Sequence, residues 1–336
     1  MPDTLPERHT GAGRRHADDV AAAPMVRNEA LAWQICLALA RERTQQRFEH
    51  GGYGLDRHGM LEPGRPGSSA TLVEYDARGW HASGVWSAGA QALFDLYLNF
   101  SAGPLEQTQA VGHLGQSIDG HIATHNGDAR YVSAPQDLIH LHRMRALCDA
   151  VIVGASTVAA DDPRLTTRLV SGDHPVRVII DPGLRLAPTH RVFSDGEAPT
   201  LVVCDPQRTD PGRSPVGREQ TLCVPSSNGR LDLPALMAQL RERGLALLFV
   251  EGGGSTVSRF VEAGCLDRLQ IAVAPLIIGE GRRGLRLPGS ELIRDCARPP
   301  YRLFKLGNDV LWDFDLRAGH RQSANDADQP GPVRLA

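Results

Sequence analysis

Two short stretches of this 336-residue chain carry residue types suited to holding a phosphate-bearing ligand. In the first, Asp149 to Arg168, the apolar run Ala150 to Val153 is short and β-branched, the pattern of a buried strand in an α/β sheet. Gly154 ends that strand. Ala155 to Ala160 can then form a short helix whose free N–H groups face an anion, and Asp161, Asp162 and Pro163 close the turn. In the second stretch, Leu247 to Val250 runs into Glu251, Gly252, Gly253, Gly254, Ser255 and Thr256. Glycines lacking a Cβ let backbone approach a pyrophosphate, and a serine at a helix N-terminus adds a donor. Two such strand ends in one sheet predict a dinucleotide site. The plainer reading of Gly252 to Gly254 is a tight strand-to-helix turn.

The elements that must position these stretches follow from periodicity. Ala110 to Ile118, Val176 to Ile180, Thr200 to Cys204, Thr221 to Val224, Ala246 to Val250 and Leu269 to Ala274 read as strands. Between them, helices are expected from Ser133, as N-cap, to about Cys148, over Leu233 to Arg243, and over Ser255 to Ala263. Such alternation predicts an α/β fold, a mostly parallel sheet with helices on both faces. Tyr301 to Leu306 and Val310 to Asp315, joined by Gly307, Asn308 and Asp309, predict an antiparallel hairpin at one edge.

Ahead of this sheet, Glu29 to Phe48 and Ala88 to Phe100 read as helices. They flank a Gly- and Pro-rich loop from Gly51 to Ser69 and a hairpin of Thr71 to Tyr75 with Trp80 to Trp86. The expected organisation is a disordered leader over 1–24, a small α+β unit over 25–105, the main domain over 106–318 and a disordered tail over 319–336. The small unit is expected to pack on the main domain rather than stand alone.

The net charge of −3 gives no electrostatic case for nucleic acid or a membrane surface as partner. No apolar run approaches the roughly 18 residues that cross a bilayer. The six cysteines are scattered, without a Cys-x-x-Cys, which predicts reduced and mostly buried thiols in a cytoplasmic protein. His140 and His142, two apart on a helix, point about 200° apart and cannot share one metal. They read as surface or packing residues, and no metal is expected. No nucleophile elbow or triad is present.

Five blocks of this sequence resemble the reductase half of the bifunctional riboflavin-biosynthesis deaminase/reductase, a branch of the dihydrofolate-reductase-like fold. They are Gly115 to Thr124, Asp149 to Arg168, Pro175 to Asp181, Val250 to Ser255, and Leu266 to Leu269 followed by Ala274 to Gly279. Their order and spacing match from about Val111 to about Leu316, and not before. The resemblance implies an NAD(P)H-dependent oxidoreductase, most like 5-amino-6-(5-phosphoribosylamino)uracil reductase. It implies NADPH on Thr157, Asp161 and Gly252 to Thr256, with NADH as the alternative coenzyme. For the substrate it implies Arg145 and Arg168 on the phosphoribosyl part, Leu165 as a neighbouring backbone contact, and Glu251 on the ring. Glu251 or His121 is the expected proton relay, and a homodimer is the expected assembly.

Several positions depart from the family pattern. His121 stands where a Lys or Arg usually faces the substrate, Ala129 and Tyr131 replace a serine and a tryptophan, and Pro182 replaces a small hydroxylic residue near the adenosine ribose. These departures keep two alternatives open: a reductase of a pterin or other heterocycle, and a nucleotide-binding module without catalysis. The zinc deaminase that precedes the reductase in the bifunctional enzymes needs a His-x-Glu and a Pro-Cys-x-x-Cys. Neither occurs here, so no deaminase activity is expected.

Overall fold

The computed structural model describes residues 26–43, 48–65, 67–102 and 108–317. The expected leader over 1–24 and tail over 319–336 lie outside these residues. Helix α1 (Glu29–Glu42) starts at Asn28, whose side chain accepts a hydrogen bond from the Leu31 N–H (3.1 Å). Four strands follow, β1 (Gly51–Leu55), β2 (Leu61–Gly64), β3 (Val73–Asp76) and β4 (Gly79–Ala82), in an antiparallel sheet of order β2-β1-β3-β4. Helix α2 (Ala88–Ala102) completes this unit.

Two expectations fail here. The stretch expected to be only a Gly- and Pro-rich loop contains β1 and β2. Gly54 serves close approach of backbones rather than a turn, since a Cβ there would come 2.7 Å from the Ala70 carbonyl oxygen. Pro63 is tolerated because β2 is an outer strand. Helix α1 also ends at Glu42, short of Phe48. Past that end, the Arg43 guanidinium reaches the Leu147 carbonyl (2.6 Å) and the Asp149 carboxylate (2.6 Å). Arg47 lies outside the described residues.

The main sheet begins with β5 (Gln109–Ser117), and β6 (His121–Thr124) leaves it beyond a turn. Helix α3 (Pro135–Leu147) leads to β7 (Ala150–Gly154), α4 (Ala155–Asp161) and β8 (Val176–Ile180). The short α5 (Arg191–Ser194), β9 (Thr200–Cys204), β10 (Thr221–Cys223), β11 (Ser226–Ser227) and β12 (Arg230–Leu231) follow. Helix α6 (Leu233–Glu242), β13 (Leu247–Glu251), α7 (Gly254–Glu262), β14 (Arg268–Ala274), β15 (Gly281–Arg283), β16 (Tyr301–Leu306) and β17 (Asp309–Asp315) end the described chain.

Nine of these strands form one sheet of order β10-β9-β8-β7-β13-β5-β14-β17-β16, in which only β17 runs against the rest. This is the expected mostly parallel α/β sheet with an antiparallel C-terminal hairpin. Alternation along the central strands divides the core. Val151, Val153, Leu247 and Phe249 face one apolar cluster shared with α1, α2 and α3, while Ile152, Leu248 and Val250 face a second shared with α6 and α7. Ser133 is not the N-cap of α3, contrary to expectation. Ala134 takes that place without a side-chain bond, and Pro135, having no N–H, leaves less there to cap.

The N-terminal unit docks on the first of these faces. Trp33 Nε1 donates to the Ser171 carbonyl (3.0 Å), and Arg302 donates to the Asp95 carbonyl (2.5 Å). Buried between α2, α3 and β14, His140 bonds Tyr97 Oη through Nδ1 (2.7 Å) and Gln270 Oε1 through Nε2 (2.9 Å). It is thus a packing residue and not a surface one. Gln270 Nε2 faces Asp313 (3.4 Å), which fixes the amide orientation and makes the His140 Nε2 the protonated nitrogen.

Burial, and then the charge of His113, push the His140 pKa down to about 4, from an unfolded value near 6.5. The unfolded chain therefore takes up this proton first as pH falls. The contribution is complete above about pH 6.5 and erodes toward pH 4, at roughly 1.4 kcal/mol per pH unit. Urea unfolding at pH 7 and pH 5 should show this loss, about 2 kcal/mol, in the natural protein and not in His140→Gln. Equal pH increments in the two proteins would contradict it.

Among the cysteines, Cys36, Cys148 and Cys204 are buried, Cys265 and Cys296 are partly exposed, and Cys223 is exposed. Half rather than most are buried, because Cys223 ends a short strand near the sheet margin. No described helix is long and apolar enough to cross a membrane.

Candidate active site

The two glycine-bearing strand ends meet. β7 and β13 are parallel neighbours with Ile152 level with Val250, so Gly154 and Gly252 lie side by side at their carboxyl ends. From β7 the chain turns to β8 on one side, and from β13 it turns to β14 on the other. This divergence is the topological switch point at which open α/β sheets form a binding crevice.

Gly252 and Gly253 have φ of +79° and +44°, a backbone that side chains resist. A Cβ on Gly253 would come 2.9 Å from Thr157 Oγ1, which sits on α4 across the crevice. A Cβ on Gly254 would collide with the Gly284 carbonyl oxygen, where the β15 segment crosses the loop. The space enclosed at this point is about 740 Å³. Thr157, Asp161, Leu165, Glu251, Gly252, Gly253, Gly254 and Ser255 all line it, as do the altered positions Ala129 and Tyr131.

Four expected residues lie outside that lining. Thr256 lines a separate recess of about 130 Å³ with Ile180 and Phe260, and a Cβ on Gly154 would come 2.5 Å from its Oγ1. Half-buried His121 has its Nδ1 3.5 Å from Asp119 and without a hydrogen bond. Arg168 places a guanidinium nitrogen 2.9 Å from Thr166 Oγ1, while its backbone N–H donates to His142 Nδ1 (2.8 Å). Arg145 is buried and paired with Glu251: Nε lies 2.8 Å from Oε2, and Nη2 bonds Oε1. Its third contact is the Thr166 carbonyl (3.1 Å), so it is not a solvated partner of the helix dipole.

Charge and burial set the remaining chemistry. His142, buried and beside Arg145 and Arg168, has its pKa pushed down to about 4. That agrees with its Nδ1 acting as an acceptor. Burial raises the Asp161 carboxyl, with Arg282 pulling partly the other way. Asp119 orders a turn: it accepts from Ser117 Oγ and from the backbone N–H groups of Gly279 and Ile278, and the Ser117 bond leads the lowering of its pKa.

Residues 112–309 match the RibD C-terminal domain family. The chain belongs to that family. A 2,5-diamino-6-ribosylamino-4(3H)-pyrimidinone 5′-phosphate reductase of Methanothermobacter thermautotrophicus is 35% identical over 208 residues, covering 60% of this chain and 94% of the relative. The riboflavin biosynthesis protein RibD of Escherichia coli is 31% identical over 213 residues, 59% of this chain and 57% of that protein. A solved Acinetobacter baumannii RibD covers 69% of this chain and 65% of its own at a TM-score of 0.54 and 21% identity, a likeness of fold. Membership in the RibD C-terminal domain family places the chain among the oxidoreductases.

In this RibD-type domain the crevice also holds a pair that sequence reasoning missed. His113 on β5 and Asp137 on α3, both buried, line the cavity with His113 Nε2 3.0 Å from Asp137 Oδ1. Burial pushes the Asp137 carboxyl up, and the His113 imidazole outweighs it, so the net shift is downward. A histidine between the apolar residues Val111 and Leu114 of β5 was the only signal, and its partner lies 24 residues on. Also missed were Arg130, Arg282, Arg283 and Arg286 in the lining. Among the described residues, no group of three or more His, Cys, Asp or Glu side chains is placed to hold a metal.

Proposed function

We propose that the crevice binds NADPH across the Gly154 and Gly252 strand ends, and that the chain reduces C1′ of the ribosylamino group of a phosphorylated aminopyrimidine. The observation that carries this reading is the contact between Thr157 and the Gly252–Gly253 turn at a switch point opening on about 740 Å³. The residues present fit a dinucleotide: Gly252 and Gly253 form a turn of positive φ in the cavity lining that carries no side chain into it, and the first turn of α7 presents N–H groups without a side-chain cap. When bound, the coenzyme supplies hydride to C1′ of the ring-opened imine, giving the ribitylamino product.

The chain's own residues orient and enclose. Thr157, Asp161 and Gly252 to Ser255 form the coenzyme side, with Thr256 supporting Gly154 from the neighbouring recess, and Leu165 and Glu251 form the substrate side, with Arg145 holding Glu251 and Arg168 set beside Thr166 outside the lining. Leu165 is buried at a φ of +58°, unusual for a bulky residue, which holds its backbone at the cavity wall. Glu251, with both oxygens on Arg145, is fixed in place to meet the pyrimidine ring. His113, held by Asp137 inside the cavity, is better placed than His121 to pass a proton to the reduced nitrogen. Excluding water and aligning donor with acceptor account for most of the expected rate.

The archaeal relative, 94% of which is matched, is named for the diamino-pyrimidinone, and this favours that compound as a second substrate to try beside the aminouracil. Titration with NADPH should quench protein fluorescence with a dissociation constant on the order of micromolar. Loss of reduced-nicotinamide absorbance should follow addition of one of the two phosphoribosylaminopyrimidines. Turnover of dihydropterin alone would move the reading to the pterin alternative, and binding without oxidation of any of them would favour the non-catalytic module.

A further inference from the structure

The segment that crosses the glycine loop carries cations that nothing above uses. β15 pairs antiparallel with β6, Gly281 opposite Thr124 and Arg282 opposite Ala123, and then slips so that Arg283 stands opposite His121. Regular alternation would send Arg282 and Arg283 to opposite faces, yet both line the 740 Å³ cavity at this slip. The strap is pinned on both sides: Gly284 N–H donates to the Gly120 carbonyl (2.9 Å), and Arg286 N–H donates to Ser258 Oγ on α7 (2.8 Å).

Arg282 extends to the Gly127 turn. Its guanidinium lies against Gly127, where a Cβ would come within 2.7 to 3.2 Å of three of its atoms. Its charge also acts on Asp161 of α4, which lines the same cavity. Arg130, in the loop beyond Gly127, lines the same space. Among the described residues, the guanidinium groups of Arg130, Arg282, Arg283 and Arg286 have no hydrogen-bond or ion-pair partner. The carboxylates of the lining are mostly engaged, Glu251 by Arg145 and Asp137 by His113, which leaves Asp161 to face four arginines.

We propose that this strap, led by Arg282 and supported by Arg286, is the element that reads a phosphomonoester dianion in the crevice. Arginine forks suit a phosphate, and Arg145, committed to Glu251, has fewer donors left for one. The inference rests on the crevice being the ligand site. Two sources offer the same chemistry, the 2′-phosphate of the coenzyme and the 5′-phosphate of the substrate.

The test is calorimetric titration of the full chain, of Arg282→Ala/Arg286→Ala and of Arg282→Lys, with NADPH against NADH and ribose 5-phosphate against ribose. These side chains are exposed, so the variants should keep the melting temperature of the natural protein. The double variant should lose about tenfold or more in affinity for a phosphorylated ligand, and nothing for the counterpart lacking that phosphate. Arg282→Lys should fall between. Loss confined to NADPH assigns the 2′-phosphate, loss confined to ribose 5-phosphate assigns the substrate, and loss for both assigns a shared wall.

Unchanged affinities throughout, or equal losses for NADPH and NADH, overturn the strap while leaving the coenzyme reading intact. If the natural protein binds ribose 5-phosphate through these arginines but neither coenzyme, the strap stands and the coenzyme reading falls. Binding of no phosphorylated ligand overturns both.

Discussion

Arg145→Ala is expected to cost about 3–5 kcal/mol of folding stability, measured as a drop in the denaturant midpoint at unchanged m-value. Arg145 and Glu251 come from α3 and from the end of β13, their side chains are 8% and 12% exposed, and the pair is bidentate. Removing the guanidinium leaves a carboxylate in a partly dry pocket without its arginine. That penalty belongs to the orphaned charge more than to the pair itself. Arg145→Met combined with Glu251→Leu should therefore regain much of the loss, since an apolar pair of similar volume leaves nothing unsatisfied. Strict additivity of the two single changes would show that the ion pair is not what holds this wall.

Gly254→Ala is expected to be nearly as damaging, about 3 kcal/mol or more, and to reduce coenzyme affinity at least tenfold. The added methyl would meet backbone, the Gly284 carbonyl group and the Arg283 oxygen (2.9 Å), and no rotamer change can clear it. Either α7 or the β15 strap must move, and both line the crevice. Gly289→Ala is the control, because a Cβ there has nothing within 4 Å. It should stay within about 0.5 kcal/mol of the natural protein. A Gly254→Ala protein with natural stability and affinity would mean that the strap yields freely, and the packing described for it would be wrong.

The central strands were legible because strands buried on both faces read as unbroken apolar runs. β7 and β13 could be placed with their glycines from sequence, and so could the β16–β17 hairpin with its Gly307 turn. β1 and β2 were not legible: their glycines and proline have the composition of a loop, and only the neighbouring Ala70 backbone and the outer position of β2 explain them. The Arg145–Glu251 pair joins residues 106 apart, and sequence offered each as a separate ligand contact. The slip between β6 and β15 has no sequence signature, so sequence alone does not single out the arginines it gathers. Burial that depends on a distant partner is what a single chain read in order does not reveal.

The apolar cluster beneath α1 and α2 has a further consequence. It runs without a break from Trp33 and Tyr97 through Met144 to Val151 and Phe249, so α1 and α2 act as a roof over a floor that cannot stay dry without them. A shortened chain starting at β5 would expose that floor and tend to clump. Heat should melt roof and floor together, although the family match covers residues 112–309.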